Sequence, residues 1–240
     1  MCLEIPKDRI HTLYISEAFS KTKECKVLRE GVKHIELVTD EVFKSLSDTQ
    51  SPQGILALVK QYHYTLEEVA GGSRKSAQAE DLQEKPALLM VLETIQDPGN
   101  LGTILRAGEG AGVTGIVMDA NTADIYNPKV IRSTMGSVLR MPFVYVENLH
   151  ETLEELKKKK IRLFAAHLQG KHAYDQEDYT GPAAFLIGNE GNGLTEETAA
   201  MADTYIRIPM EGRVESLNAA VAASVLMFEA ARQRRNHTGK

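Results

Sequence analysis

Six short apolar runs, at 87–93, 114–119, 142–146, 161–166, 183–188 and 204–208, constrain the fold of this chain more than any other feature. Segments of helical character, at 100–111, 128–135, 149–160 and 195–201, fall between them. Strands apolar on both faces do not suit a sheet with one wet side; with helices interspersed, they predict a parallel sheet covered on both faces. The expected class is α/β, doubly wound from residue 87 onward.

The last helix, expected at 216–233, departs from a simple amphipathic pattern. Leu217, Ala220, Val221, Ser224 and Phe228 keep helical spacing, while Ala219, Ala222, Ala223, Leu226 and Met227 fill other faces. A helix apolar nearly all round is buried on more than one side, either in the core or at a subunit seam. Upstream, 11–16, 33–38 and 54–60 read as strands, and 17–30 and 40–46 as helices, the second capped by Thr39 or Asp40. About sixty residues bury only about 60% of their unfolded surface, so such a unit is marginal without support. Between the two regions, 62–86 loses periodicity and turns small, polar and charged, the composition of a linker. The expected organisation is a small α/β module at 1–61, a linker at 62–86 and a larger domain at 87–240.

Composition narrows the function classes. A net charge of −5 argues against indiscriminate polyanion binding, so any nucleic-acid contact has to be patchy. Cys2 and Cys25 are the only cysteines, too few for a zinc site and suited to a reducing cytoplasm. No apolar run approaches a membrane span, and no secretory signal is expected at the start.

The chemistry is expected in loops. The runs ending at 188 and 208 open into Gly188-Asn189-Glu190-Gly191-Asn192-Gly193 and into 209–218, and the two strands are read as ending side by side, where open α/β sheets bind small molecules. A third loop, 94–100, leads into a helix carrying Arg106, with Pro98-Gly99 as a turn and Asn100 as a candidate N-cap. Taken singly, each has a plain alternative: a turn, a cap, a surface arginine. The glycines at 108–112 and 188–193 are misspaced for G-x-G-x-x-G, which disfavours a nicotinamide oxidoreductase, and no Walker lysine follows. Glu190 suits a cationic ligand centre better than a pyrophosphate.

Together the loops are specific. Asp97-Pro98-Gly99-Asn100 with Arg106, then 187–194, then Ile208-Pro209-Met210 with Ser216-Leu217-Asn218-Ala219, resemble in order and spacing the three motifs of the SpoU (TrmH-like) branch of the SPOUT RNA methyltransferases. The resemblance runs from residue 87 to the end and implies S-adenosylmethionine as methyl donor, a ribose 2′-hydroxyl of structured RNA as acceptor, a homodimer, no metal, and a C-terminal trefoil knot. It assigns cofactor binding, largely by backbone groups, to Leu186, Ile187, Gly188, Asn189, Gly191, Ile208, Met210 and Leu217, and the catalytic positions to Asn100, Arg106, Glu190, Ser216 and Asn218. A guanidinium is always protonated and therefore a poor base, so Arg106 is expected to clamp the acceptor phosphate and stabilise charge on the 2′ oxygen, with Asn100 orienting it. Glu190 is expected to organise the cofactor loop or the arginine, and Ser216 and Asn218 to hold the start of the last helix, with Ser216 as a candidate cap.

The segment 127–137 also resembles the family's, which makes Lys129, Arg132 and Ser133 candidate RNA contacts; Arg232, Arg234 and Arg235 are basic positions that suit either a phosphate or solvent, and Lys157 to Lys160 a solvated helix end. The first module resembles the family's RNA substrate-binding domain, with 48–54 as its closing turn, and looks trimmed at its start. Ribosomal RNA is favoured over transfer RNA as the target. The rival reading is a catalytically silent RNA-binding scaffold of the same fold.

Overall fold

The computed structural model describes residues 2–71 and 86–237, so most of the expected linker, 72–85, lies outside the described residues. The chain divides into two compact units, Met1–Tyr62 and His63–Lys240.

In the first unit, β1 (Ile10–Ser16) is followed by α1 (Glu17–Ser20), α2 (Lys23–Arg29), β2 (Ile35–Val38), α3 (Asp40–Leu46) and β3 (Ile55–Val59). The sheet order is β2-β1-β3, with β2 parallel to β1 and β3 antiparallel. Leu13, Ile15, Leu28 and Phe43 make its small core, and Cys25 packs among the buried residues. The single helix expected over 17–30 is two. Ser16 caps the first by accepting from the Phe19 N–H (3.2 Å), and Thr22 starts the second by accepting from Cys25 N–H (3.3 Å). A hydroxyl that satisfies an orphan N–H begins a new helix more readily than it continues an old one.

The second unit starts earlier than the expected linker allows. α4 (Leu66–Ala70) carries a capping box between Thr65 and Glu68, and its Val69 is fully buried. There follow β4 (Leu88–Leu92), α5 (Pro98–Ala111), β5 (Gly115–Asp119), α6 (Pro128–Ser133), β6 (Phe143–Val146), α7 (Leu149–Lys158), β7 (Arg162–Ala166), β8 (His172–Ala173), β9 (Ala183–Ile187), α8 (Glu196–Ala200), β10 (Thr204–Arg207) and α9 (Ala219–His237). All six expected strands are present, with the two-residue β8 added at an edge. The sheet order is β6-β5-β4-β9-β7-β10-β8, and each pair is parallel. Every residue of β4, β5 and β9 is buried, as strands covered on both faces require. No helix among the described residues is long and apolar enough to cross a membrane.

α9 begins at Ala219 rather than 216. Asn218 is its cap, its Oδ1 accepting from the N–H groups of Ala220 (3.0 Å) and Val221 (3.3 Å), so Ser216 stays in the preceding loop. Ala220, Ala223, Leu226, Met227, Ala230 and Ala231 bury one broad face, while Val221 and Phe228 remain 47% and 49% exposed. The basic end of α9 is structural. Arg232 pairs with Glu229 (2.7 Å), and Arg234 donates to the carbonyls of Pro86, Ala87, Tyr179 and Gly181. Burial pushes the Arg234 guanidinium down to about 10, which still leaves it charged at neutral pH. It stitches the helix end to the start of β4 and to the loop leading into β9.

Candidate active site

Strand order decides which loops meet. β4 and β9 are hydrogen-bonded neighbours, so the segments leaving them, 94–97 and 188–195, emerge side by side. β9 and β10 are not neighbours, contrary to the sequence reading, because β7 pairs with both. The carboxyl end of β7 therefore joins the rim. Ala166, His167, Leu168 and Gln169 form one wall of a cleft of about 350 Å³, and sequence reasoning did not single them out. They carry no glycine cluster or motif; only the rule that ligands bind at strand carboxyl ends would have pointed to them.

The loop after β9 forms the opposite wall. Ile187, Gly188, Asn189 and Gly191 line the cleft, as do Ile208 and Met210 from the loop after β10, and Leu217 just before α9. Leu186 does not; it is fully buried in the core, with its strand partners Val91 and Ala165 on either side. The period of two along a strand separates it from its neighbour Ile187.

The loop holds its own shape. Asn189 and Gly193 exchange two backbone bonds (3.0 and 2.9 Å), and the Asn189 Oδ1 accepts from the N–H groups of Gly191 (2.9 Å) and Asn192 (3.1 Å). Gly193 sits at φ +71, a left-handed conformation that side chains disfavour. At Gly188 the limit is space, because a Cβ there would lie 2.1 Å from the Gly193 carbonyl carbon and the Leu194 nitrogen. Glu93, at the end of β4, fastens both ends of the loop. Its N–H donates to the Ile187 carbonyl (2.9 Å), and its buried carboxylate accepts from the Thr195 N–H and hydroxyl (each 2.8 Å) and from the Thr198 hydroxyl.

The three loops converge on one amide. Asn100 Nδ2 donates to Glu190 Oε1 (2.9 Å), and Asn218 Nδ2 donates to Asn100 Oδ1 (3.0 Å). Asn100 is not the cap of α5. Asp97 is, accepting from the Asn100 N–H (2.8 Å), and Pro98 supplies a first helical residue whose fixed φ suits it. The Asn100 side chain is thereby free to bridge.

Glu190 also accepts from the N–H groups of Gln96 (3.3 Å) and Asp97 (3.1 Å). Partial burial pushes its carboxyl up, but hydrogen bonds from Asn100, from its own backbone, from Asp97 and from Gln96 outweigh that and hold it below the usual value. A depressed folded pKa stabilises the protein above the unfolded pKa and loses that contribution as pH falls through the folded one. The stability gap between wild type and Glu190→Ala in thermal melts should therefore be constant above about pH 6 and shrink progressively as pH falls below about 4. A gap that narrowed between neutral pH and pH 9 instead would refute this assignment.

Arg106 stands apart. It is exposed, lines no part of the cleft, and among the described residues has no hydrogen bond or ion pair. Asn100 does not orient it, because six helical positions turn the two side chains about 120° apart and Asn100 is engaged elsewhere. Of the acceptor candidates on α6, Lys129 and Arg132 are exposed, whereas the Ser133 hydroxyl donates to the Val130 carbonyl (2.8 Å) and stands against Gly102. Ser216 and Glu190 both border the cleft.

The family model described as "SpoU rRNA Methylase family" matches residues 87–228, and one described as "RNA 2'-O ribose methyltransferase substrate binding" matches 2–65. A relative from Bacillus subtilis, the 23S rRNA (guanosine(2553)-2'-O)-methyltransferase RlmP, is 31% identical over 80% of this chain and 70% of its own length. Among solved structures, the SpoU methyltransferase AviRb from Streptomyces viridochromogenes in complex with the cofactor AdoMet superposes with a TM-score of 0.78 at 27% identity, covering 95% of this chain and 84% of that one. An AdoMet-bound rRNA methyltransferase from Sinorhizobium meliloti also reaches 0.78, at 28% identity, over 95% and 80%.

Proposed function

This chain belongs to the SpoU rRNA methylase family, and from that membership we propose that it methylates a ribose 2′-hydroxyl in structured RNA, using S-adenosylmethionine. The observation that carries the reading is the Asn100 amide, which ties the three motif loops together beside the cleft. Ribosomal RNA is the favoured target over transfer RNA, supported by the 23S rRNA named for the Bacillus subtilis relative, while the model matched at 2–65 supports RNA as the substrate.

The residues suit this cofactor. A cleft of about 350 Å³, walled by a closely folded glycine loop and aliphatic side chains, offers backbone donors and acceptors to an adenosine and an apolar surface to its ring. The Ile187–Gly191 segment, Ile208, Met210 and Leu217 would hold it. S-adenosylmethionine, when bound, supplies a methyl group on a sulfonium centre. The protein has then to place the acceptor oxygen in line and favour its loss of a proton. Arg106, as a free and permanently charged guanidinium, grips the phosphate next to the acceptor ribose and stabilises negative charge on the 2′ oxygen. Glu190 shapes the cleft rather than steering Arg106, for its oxygens are occupied by the loop after β4. Lys129 and Arg132 add phosphate contacts on α6.

The reading includes a cytoplasmic homodimer seated on the exposed Val221 and Phe228 face of α9, and the C-terminal trefoil knot that the family resemblance implies. The direct test incubates the chain with radiolabelled S-adenosylmethionine and either ribosomal or transfer RNA, then maps label to linkages resistant to alkali. Alkali resistance in ribosomal RNA is expected. Label confined to transfer RNA would reverse the target preference, and none in either, with folding verified, would leave the silent scaffold.

A further inference from the structure

We infer that Asp119 and Thr94 are positioning residues that set the shape of the loop after β9 through a hydrogen-bonded relay; for its consequence, the inference rests on the cofactor reading above. Neither residue belongs to the three motif loops' candidate positions, and neither borders the cleft.

The relay starts at a residue whose backbone is strained. Thr94 lies at φ +57, where glycine is at ease and a β-branched side chain is a genuine outlier. Such a conformation persists only where its surroundings over-determine it. Asp119, the buried last residue of β5, does this with both carboxylate oxygens: Oδ1 accepts from the Thr94 N–H (2.8 Å) and Oδ2 from the Thr94 hydroxyl (2.7 Å). The carboxylate is itself braced by Thr122, whose hydroxyl donates to Oδ1 (2.7 Å) and accepts from the Ile95 N–H (3.2 Å). Threonine is thus held where it would not otherwise stay.

What the strain achieves lies across the strand boundary. In this conformation the Thr94 carbonyl accepts from Asn189 Nδ2 (2.9 Å). That bond orients the amide so that Asn189 Oδ1 faces the N–H groups of Gly191 (2.9 Å) and Asn192 (3.1 Å), and so folds the cleft wall. If Thr94 relaxed to the extended backbone that threonine prefers, its peptide groups would turn from both Asp119 and Asn189. The loop would lose the bond that fixes its central side chain. A carboxylate on β5 therefore governs a loop that leaves β9, with β4 between them.

The test exploits glycine's indifference to φ. In Asp119→Ala, S-adenosylmethionine should bind about tenfold more weakly by calorimetry, the equivalent of one net hydrogen bond. Adding Thr94→Gly, which adopts the left-handed backbone without the carboxylate, should restore affinity to within about threefold, whereas adding Thr94→Val should not. Exchange of the Gly191 and Asn192 amides in the ligand-free chain gives a second readout, expected to speed up in Asp119→Ala and to recover only with Thr94→Gly. Should Asp119→Ala not fold, Thr94→Val alone, which leaves the Asp119–Thr122 brace intact, carries the same expectation. Unchanged exchange in these variants, or no advantage of glycine over valine, would overturn the relay. Absence of cofactor binding by the wild-type chain would instead defeat the cofactor reading, and the exchange rates would still decide the relay.

Discussion

Gly188→Ala should abolish binding of S-adenosylmethionine, weakening it by at least about 100-fold, or roughly 3 kcal/mol. The reason is space rather than backbone angle. The added carbon would lie 2.1 Å from the Gly193 carbonyl carbon, 2.1 Å from the Leu194 nitrogen and 2.3 Å from the Gly193 oxygen. All three are main-chain atoms, so no rotamer change relieves the overlap. The returning arm of the loop has to move, which breaks the Asn189–Gly193 exchange of bonds that closes it. Overpacking of this kind also lowers stability, by about 1–3 kcal/mol, so a reduced melting temperature should accompany the lost binding. Gly181→Ala is the control. A Cβ there meets nothing within 4 Å, and both stability and affinity should stay at wild-type values. A Gly188→Ala chain that bound the cofactor normally would show that the cleft beside 188–194 is not the cofactor site.

Arg106→Ala should leave cofactor affinity within about twofold while methyl transfer falls about 10³-fold, the range for removing a charge-stabilising donor. The separation of the two effects follows from placement. Arg106 is exposed on α5 and takes no part in lining the cleft, so its loss leaves the cofactor walls intact. Single-turnover rates with saturating RNA, read beside calorimetry of S-adenosylmethionine, would measure the split. Arg106→Lys should fall between, because an ammonium keeps the charge but not the planar fork that grips a phosphate. Normal transfer by Arg106→Ala would remove the arginine from the mechanism, and lost cofactor binding would place it in the cleft after all.

These expectations draw unevenly on sequence and structure. The six strands were legible because burial on both faces leaves few polar residues in a run, and that signal survives without knowledge of neighbours. Boundaries were less so. The break between α1 and α2 depends on the Thr22 hydroxyl finding the Cys25 N–H, and α4 depends on a buried site for Val69. Within the candidate site, the glycine loop stood out by residue type, and Glu190, Asn100 and Asn218 through the resemblance of the three loops to the family motifs. Their roles did not. Asn100 looked like a helix cap until Asp97 took that place, and Arg234, which suited either a phosphate or solvent, is engaged by four carbonyls instead.

By itself, the order of residues determined the α/β class, the run of strands, and which loops carry polar groups and glycines, since periodicity and backbone freedom are local properties. Only the tertiary structure decided strand order, and with it that β7 separates β9 from β10, that 166–169 walls the cleft, and that Leu186 points into the core. It also decided that Asp119 holds Thr94 and that Thr94 holds Asn189. Such pairings join residues far apart in the chain, and a hydrogen bond between them leaves no local trace at either end.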